Sequence, residues 1–269
     1  QARILGGRVN SNSVNGQVTW TPNSWMVLNG RVGRSFLNEK GSAYGKAPQT
    51  RYLCSISGAP PPESGCVAGY NSGDNSILNF DVSTRTTFDL DAAFVGVNAG
   101  GRHNLKFGYQ WNRLFNTVDS GYVDTGYVIL YYGIPISGLG VPATPTAGNL
   151  GSGILQRFGT KGEASSKNQA LFVQDSWQIG RRATLNIGVR IESEIVPSFG
   201  DATATQAIEF GWGDKIAPRL GFAFDLTGDG KTKLFASYGW FYDRFKYELP
   251  RGSFGGDFYR RDYFEILPG

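Results

Sequence analysis

The sequence predicts an all-β chain, an antiparallel up-and-down transmembrane β-barrel with about eight or nine strands visible, short periplasmic turns and long extracellular loops. Three observations carry this. From His103 to Asn112 the residues alternate without a break, Leu105, Phe107, Tyr109 and Trp111 on one face and Lys106, Gly108, Gln110 and Asn112 on the other, the period of two that marks a strand with one oily face. Such strands recur in pairs joined by very short turns. Long connections separate the pairs, so turns and loops fall at opposite ends, as in an outer-membrane barrel. Periodicity alone does not say which face is inside: a soluble sandwich shows the same alternation with its apolar side chains turned to a dry core.

The first hairpin is expected from about Val14 to Trp20, with a turn at Thr21-Pro22-Asn23-Ser24 and a return from Trp25 to Phe36, where Met26, Leu28 and Val32 oppose Asn29, Arg31 and Gly33. A long connection follows from Leu37 to Ser83 and holds both cysteines, Cys54 and Cys66, in the stretch CSISGAPPPESGC. An even pair closing a short Pro/Gly/Ser-rich loop reads as a disulfide in an oxidising compartment, worth roughly 3 kcal/mol in the chain-entropy model.

The second hairpin joins about Thr84–Val97 to His103–Phe115 through Asn98-Ala99-Gly100-Gly101. Phe88, Leu90, Phe94, Leu105, Phe107 and Tyr109 are assigned to lipid, and Asp89, Asp91, Lys106 and Gln110 to the wet lumen, where carboxylates find counter-charge on the next strand. The connection Asn116–Lys167 contains the β-prone YVILYYGI and the flexible GLGVPATPTAGNLGSG.

The third hairpin joins about Asn168–Ile179 to Ala183–Glu194 through Gly180-Arg181-Arg182. Leu185, Ile187 and Val189 are expected on lipid, with Asn186, Arg190 and Glu192 on the lumen. After the Ile195–Asp214 connection, the fourth joins about Lys215–Leu226 to Lys231–Tyr242 through Thr227-Gly228-Asp229-Gly230, with Leu220, Phe222 and Leu234 on lipid and Arg219 inward. The tail after Asp243 reads as a further connection. Trp20, Trp25, Trp111, Trp177, Trp240 and Tyr242 gather near hairpin ends, where aromatic girdles meet the headgroups.

Composition agrees. Glycine supplies 38 of 269 residues and aromatics 14%, as many strands and turns require. No run nears the 18 or so apolar residues of a spanning helix. The charge of +4, from 26 basic against 22 acidic residues, is spread out rather than gathered in a block that would grip nucleic acid. One His and one Met argue against imidazole chemistry or a metal centre, and paired carboxylates such as Asp89 and Asp91 find a simpler reading as barrel wall. No enzyme and no cofactor are expected. Asp225–Gly230 faintly resembles a calcium loop, yet Ala236 stands where the bidentate Glu belongs; Gly230-Lys231-Thr232 ends like a phosphate loop, but Asp225 replaces its first glycine and a strand follows. A hairpin turn accounts for both.

The segments FVQDSWQIGRRATLNIGVRIE (Phe172 to Glu192) and APRLGFAFDLTGDGKTKLFASYGWFYDR (Ala217 to Arg244), together with HNLKFGYQWNR (His103 to Arg113), resemble the barrel of TonB-dependent outer-membrane receptors, in particular the Oar-like branch. The resemblance implies a bacterial outer-membrane barrel of about 22 strands around a plug domain. It also implies energy-coupled uptake of an unknown solute, with outer-membrane lipid, the protein's own plug and a TonB-type energy-coupling protein as partners. Residues 1–269 are then one partial barrel domain, without plug or remaining strands. A start at Gln1 with no signal segment, and an end at Ile266-Leu267-Pro268-Gly269, read as truncation. A structural or adhesive surface protein and a passive porin are alternative uses of the same wall.

Overall fold

The computed structural model describes residues 7–42, 51–54, 67, 69–70, 78–199, 206–246 and 248–268. Eight antiparallel strands form one continuous wall: β1 (Arg8–Asn23), β2 (Met26–Ser42), β4 (Leu78–Asn98), β5 (Arg102–Gly121), β7 (Gly151–Ile179), β8 (Ala183–Val196), β9 (Ile208–Asp225) and β10 (Lys233–Gly239), in that spatial order. Numbering follows the chain, so β3 (Arg51–Cys54) and β6 (Tyr127–Tyr132) lie off this path. Within the described residues β1 and β10 each pair on one side only, so the sheet is open. Strand order is up-and-down because every tight turn joins neighbours, and all four turns fall at one end.

Beyond the wall, the sheet continues at the loop end. The first half of β7 pairs with β6 on one side and with β11 (Asp257–Ile266) on the other, and β3 adds to β6 in parallel. A six-residue helix, α1 (Glu248–Ser253), precedes β11. No described helix is long and apolar enough to cross a membrane.

All four expected hairpins form, with different lengths. The first turn is tighter than Thr21–Ser24: pairing resumes at Asn23↔Met26 after a register shift, and the Trp25 amide donates to Asn23 Oδ1 at 3.2 Å. The second hairpin extends to Leu78 and Gly121. The largest departure is β7, 29 residues instead of the expected dozen. Its first half, GSGILQRFGTKGEASSK, has no period-two pattern, and β5, β6 and β11 hold it as strand by pairing along it. Glycine is required there: a Cβ on Gly159, φ +149°, would sit 2.0 Å from the Ser120 carbonyl oxygen.

The fourth hairpin is displaced toward the loops on β9 and ends early on β10, at Gly239. The tail after Asp243 is no plain loop, since it carries α1 and β11. β11 crosses to β7 rather than joining β10. Cys54 is buried at the end of β3, whereas Cys66, its expected disulfide partner, lies outside the described residues.

Burial resolves the question that periodicity leaves open. Directly paired residues share a face, so one face of the wall carries Leu90, Phe107, Leu171, Ile187, Leu220 and Leu234 in a band, and these are 42–55% exposed. The opposite face carries Asp91, Asn112, Asn116, Ser166 and Lys215, each less than a tenth exposed. The sheet therefore curls around its polar face and turns its apolar face outward, the reverse of a soluble sandwich. The outward band ends at Arg34, Thr86, Arg113 and Lys167 toward the loops. From Phe88 to Phe94 it runs seven residues, about 20 Å along the extended chain.

Candidate functional site

The inner wall is built by strand parity. β4 puts Asp89 and Asp91 inward because Phe88 and Leu90 take the outward positions, and the register with β2 brings Asn29 opposite Asp91 and Arg31 opposite Asp89. The Asp91 side chain is 1% exposed and is held by three groups. Asn29 Nδ2 donates to its Oδ2 at 2.8 Å, Arg31 Nη2 donates to its Oδ1 at 2.8 Å, and Lys106 Nζ stands 3.5 Å away on β5. Arg31 Nε also lies 3.9 Å from Asp89. Cations and amide donors thus stand in for the water that a carboxylate so enclosed gives up.

Farther along the wall, Arg190 on β8 donates through Nη1 to Gln110 Oε1 at 2.6 Å and through Nε to Glu192. Lys215 on β9 pairs with Glu194 in a buried contact, and its ammonium lies 4.4 Å from the Phe210 ring centroid. Arg219 places its Cζ over the Phe241 ring, 4.8 Å from the centroid. Between Lys106, Gln174, Asn186, Arg190 and Arg219 the wall lines an open-sided cavity of 470 Å³, widened at the inward position Gly221, which carries no side chain.

At the loop end residues 240–246 and 248–256 cross the inner face. The Phe245 amide donates to Glu194 Oε1 at 3.1 Å, and Phe245 stacks on Phe210 with ring centroids 5.6 Å apart. From α1, Arg251 reaches the far side of the wall and donates to Asp81 and, at 2.9 Å, to Asn116 Oδ1. Asn116 Nδ2 in turn donates to Asp81 Oδ1 at 2.7 Å and Ser83 Oγ at 2.8 Å. A second cavity, of 890 Å³, opens between this segment and β1, β2, β4 and β5.

The register thus puts Asp89, Asp91, Lys106, Gln110, Asn186, Arg190, Glu192 and Arg219 on the inner face. Phe88, Leu90, Phe94, Leu105, Phe107, Tyr109, Leu185, Ile187, Val189, Leu220, Phe222 and Leu234 share the outer one. Sequence reading missed the partners of this network. Asn29 and Arg31 carried the signal, alternating with Leu28 and Val32. Glu194 and Lys215 were hidden by the irregularity between Glu192 and Glu194, which breaks the pairing where β8 meets β9. Arg251 sits in a segment with no strand pattern and could not be placed.

Near the turns the outer face carries an ion pair. His103 Nδ1 lies 2.6 Å from Asp175 Oδ2, and the His103 ring stacks on Trp177 at 5.2 Å. It falls beside the turns, at the end of the apolar band, where polar groups and Trp meet water and headgroups. The Asp225–Lys231 segment is a turn: Gly228 and Gly230 amides donate to the two Asp225 oxygens at 2.9 and 2.8 Å. The Thr227 hydroxyl donates to Asp229 at 2.5 Å and the Lys231 amide at 3.1 Å, which holds that carboxyl below its ordinary range.

The family model described as an outer membrane beta barrel domain matches residues 6–207. The chain is 26% identical over 198 residues to the TonB-dependent transporter Oar of Myxococcus xanthus, an alignment that covers 71% of this chain and 18% of that protein. It therefore spans less than a fifth of the length of this relative.

Proposed function

Because this chain belongs to the outer-membrane β-barrel domain family, we propose that it forms part of the wall of a receptor that takes up a solute across the outer membrane, driven by a TonB-type energy-coupling protein. In this reading the outward band meets lipid, the polar inner wall lines a lumen filled by a plug domain of the same protein, and neither wall nor loops perform catalysis. The observation that carries it is the inverted burial, charged and amide side chains enclosed while Leu, Ile and Phe stand exposed. A surrounding of hydrocarbon makes such a face favourable. The likeness to a TonB-dependent transporter supports the choice of an energised receptor over other barrels.

Reconstituted into planar bilayers, the whole gene product is expected to show little steady conductance, and uptake by cells is expected to collapse when the energy-coupling partner is deleted. A large open conductance independent of that partner would replace this reading with a porin. Intact uptake, with only surface binding lost on loop deletion, would replace it with an adhesin.

A further inference from the structure

We propose that the hollow between Lys106, Arg190 and Arg219 is an anion site that receives a carboxylate. The proposal rests on the lumenal reading of this face and adds what the face holds. Three cations line one cavity of 470 Å³: Lys106 reaches Asp91 at 3.5 Å, and Arg190 meets Glu192 through Nε and Gln110 through Nη1. Arg219 is the one with no carboxylate within 4.0 Å among the described residues; its Cζ lies over the Phe241 ring, 4.8 Å from the centroid. Of the cavity lining, Asp175 is the sole acid, and the register turns it to the outer face, where it pairs with His103.

The rest of the lining suits an oxyanion. The side chains of Gln174, Ser176 and Asn186 make no hydrogen bond among the described residues, so they offer amide and hydroxyl donors into the space. Gly221 leaves space on the inward side, where a Cβ would come no closer than 3.5 Å to Asn186, and it lacks the positive φ that would explain glycine by backbone alone; at Gly188 a Cβ would already press on Gln174 Cβ and the Val173 carbonyl at 3.2 Å. By contrast, the inward position of Gly108 is filled by the Phe172 ring, 2.2 Å from where a Cβ would stand. Planar guanidinium forks bind a carboxylate through two parallel hydrogen bonds, and a neighbouring ammonium and amides complete its shell. The carboxylate comes either from an acidic side chain of a lumenal segment of the same protein or from a solute.

The test is the rate at which phenylglyoxal modifies Arg219 in the purified whole gene product, read by peptide mass spectrometry. If a carboxylate of the protein occupies the hollow, Arg219 reacts slowly in dilute buffer and at least about fivefold faster in about 1 M NaCl, where a paired charge is screened. If the site is kept for a solute, Arg219 reacts fast in dilute buffer and is protected by added citrate. In both cases Gly221→Leu, which fills the hollow, removes the protection, and the salt and citrate arms on the unmodified protein stand without that variant. An Arg219 rate that answers to neither salt nor citrate overturns the proposal, whether fast or slow. The readout needs no transport, so a protein that fails the uptake test still answers this one.

Discussion

Asp91 shows how one position on the inner wall is specified. It is enclosed to 1% side-chain exposure with Asn29, Arg31 and Lys106 around it, so its charge is compensated only as long as all of them stay. Asp91→Ala is expected to cost about 3 kcal/mol, because the inward cations lose their partner while remaining partly desolvated. Asp91→Asn, which keeps the shape and one acceptor, is expected to cost less than half of that. Reversible urea unfolding from lipid vesicles checks both; equal and negligible costs would mean that water already solvates the group. The outer face behaves in the opposite way. Arg at Phe107 or Ile187 is expected to cost roughly 2 to 4 kcal/mol near the bilayer midplane, whereas Asn186→Ala on the inner face should cost far less. The same unfolding series reads the difference.

At the scale of the element, the β9–β10 turn contains a titratable brace. The Thr227 hydroxyl, then the Lys231 amide, favour the ionised Asp229 and lower its pKa from the ordinary 3.8. A carboxyl with a depressed folded pKa stabilises the turn fully above the unfolded value and loses that contribution as the pH falls through the folded one. The Lys231 amide resonance should therefore titrate below pH 3.8, and Thr227→Val should move the midpoint up toward that value. A midpoint unchanged by the substitution would remove Thr227 from the account. Turns of this kind were legible in the sequence, since Gly228 at φ +80° and Gly230 at φ +78°, the latter in an Asp-Gly pair, take the left-handed region that glycine supplies. So were the strand halves near the turns, where Leu185, Ile187 and Val189 alternate with polar residues. The loop halves were not. Gly151–Lys167 and Asp257–Ile266 become strands through pairing with each other and with β5 and β6, and no local period announces it. The crossing of Arg251 to Asp81, 170 positions earlier, is likewise a tertiary fact that no local pattern encodes.

For the whole molecule, the sequence supplied two faces and the structure supplied their direction. Alternation along His103–Asn112 is compatible with a sandwich or a barrel, and the enclosed Asp91, Asn116 and Lys215 against the exposed Leu90, Ile187 and Leu220 decide for an outward apolar face. The outer-membrane assignment, the proposed plug and the anion site all depend on that direction. Single cysteines placed in turn from Leu185 to Arg190 on β8, labelled with an environment-sensitive fluorophore in vesicles, measure it directly. The account predicts a period of two: labels at 185, 187 and 189 are quenched by brominated acyl chains and shielded from aqueous iodide, while labels at 186, 188 and 190 show the reverse. A uniform response along the strand, or quenching by brominated lipid at 186, 188 and 190, would contradict it.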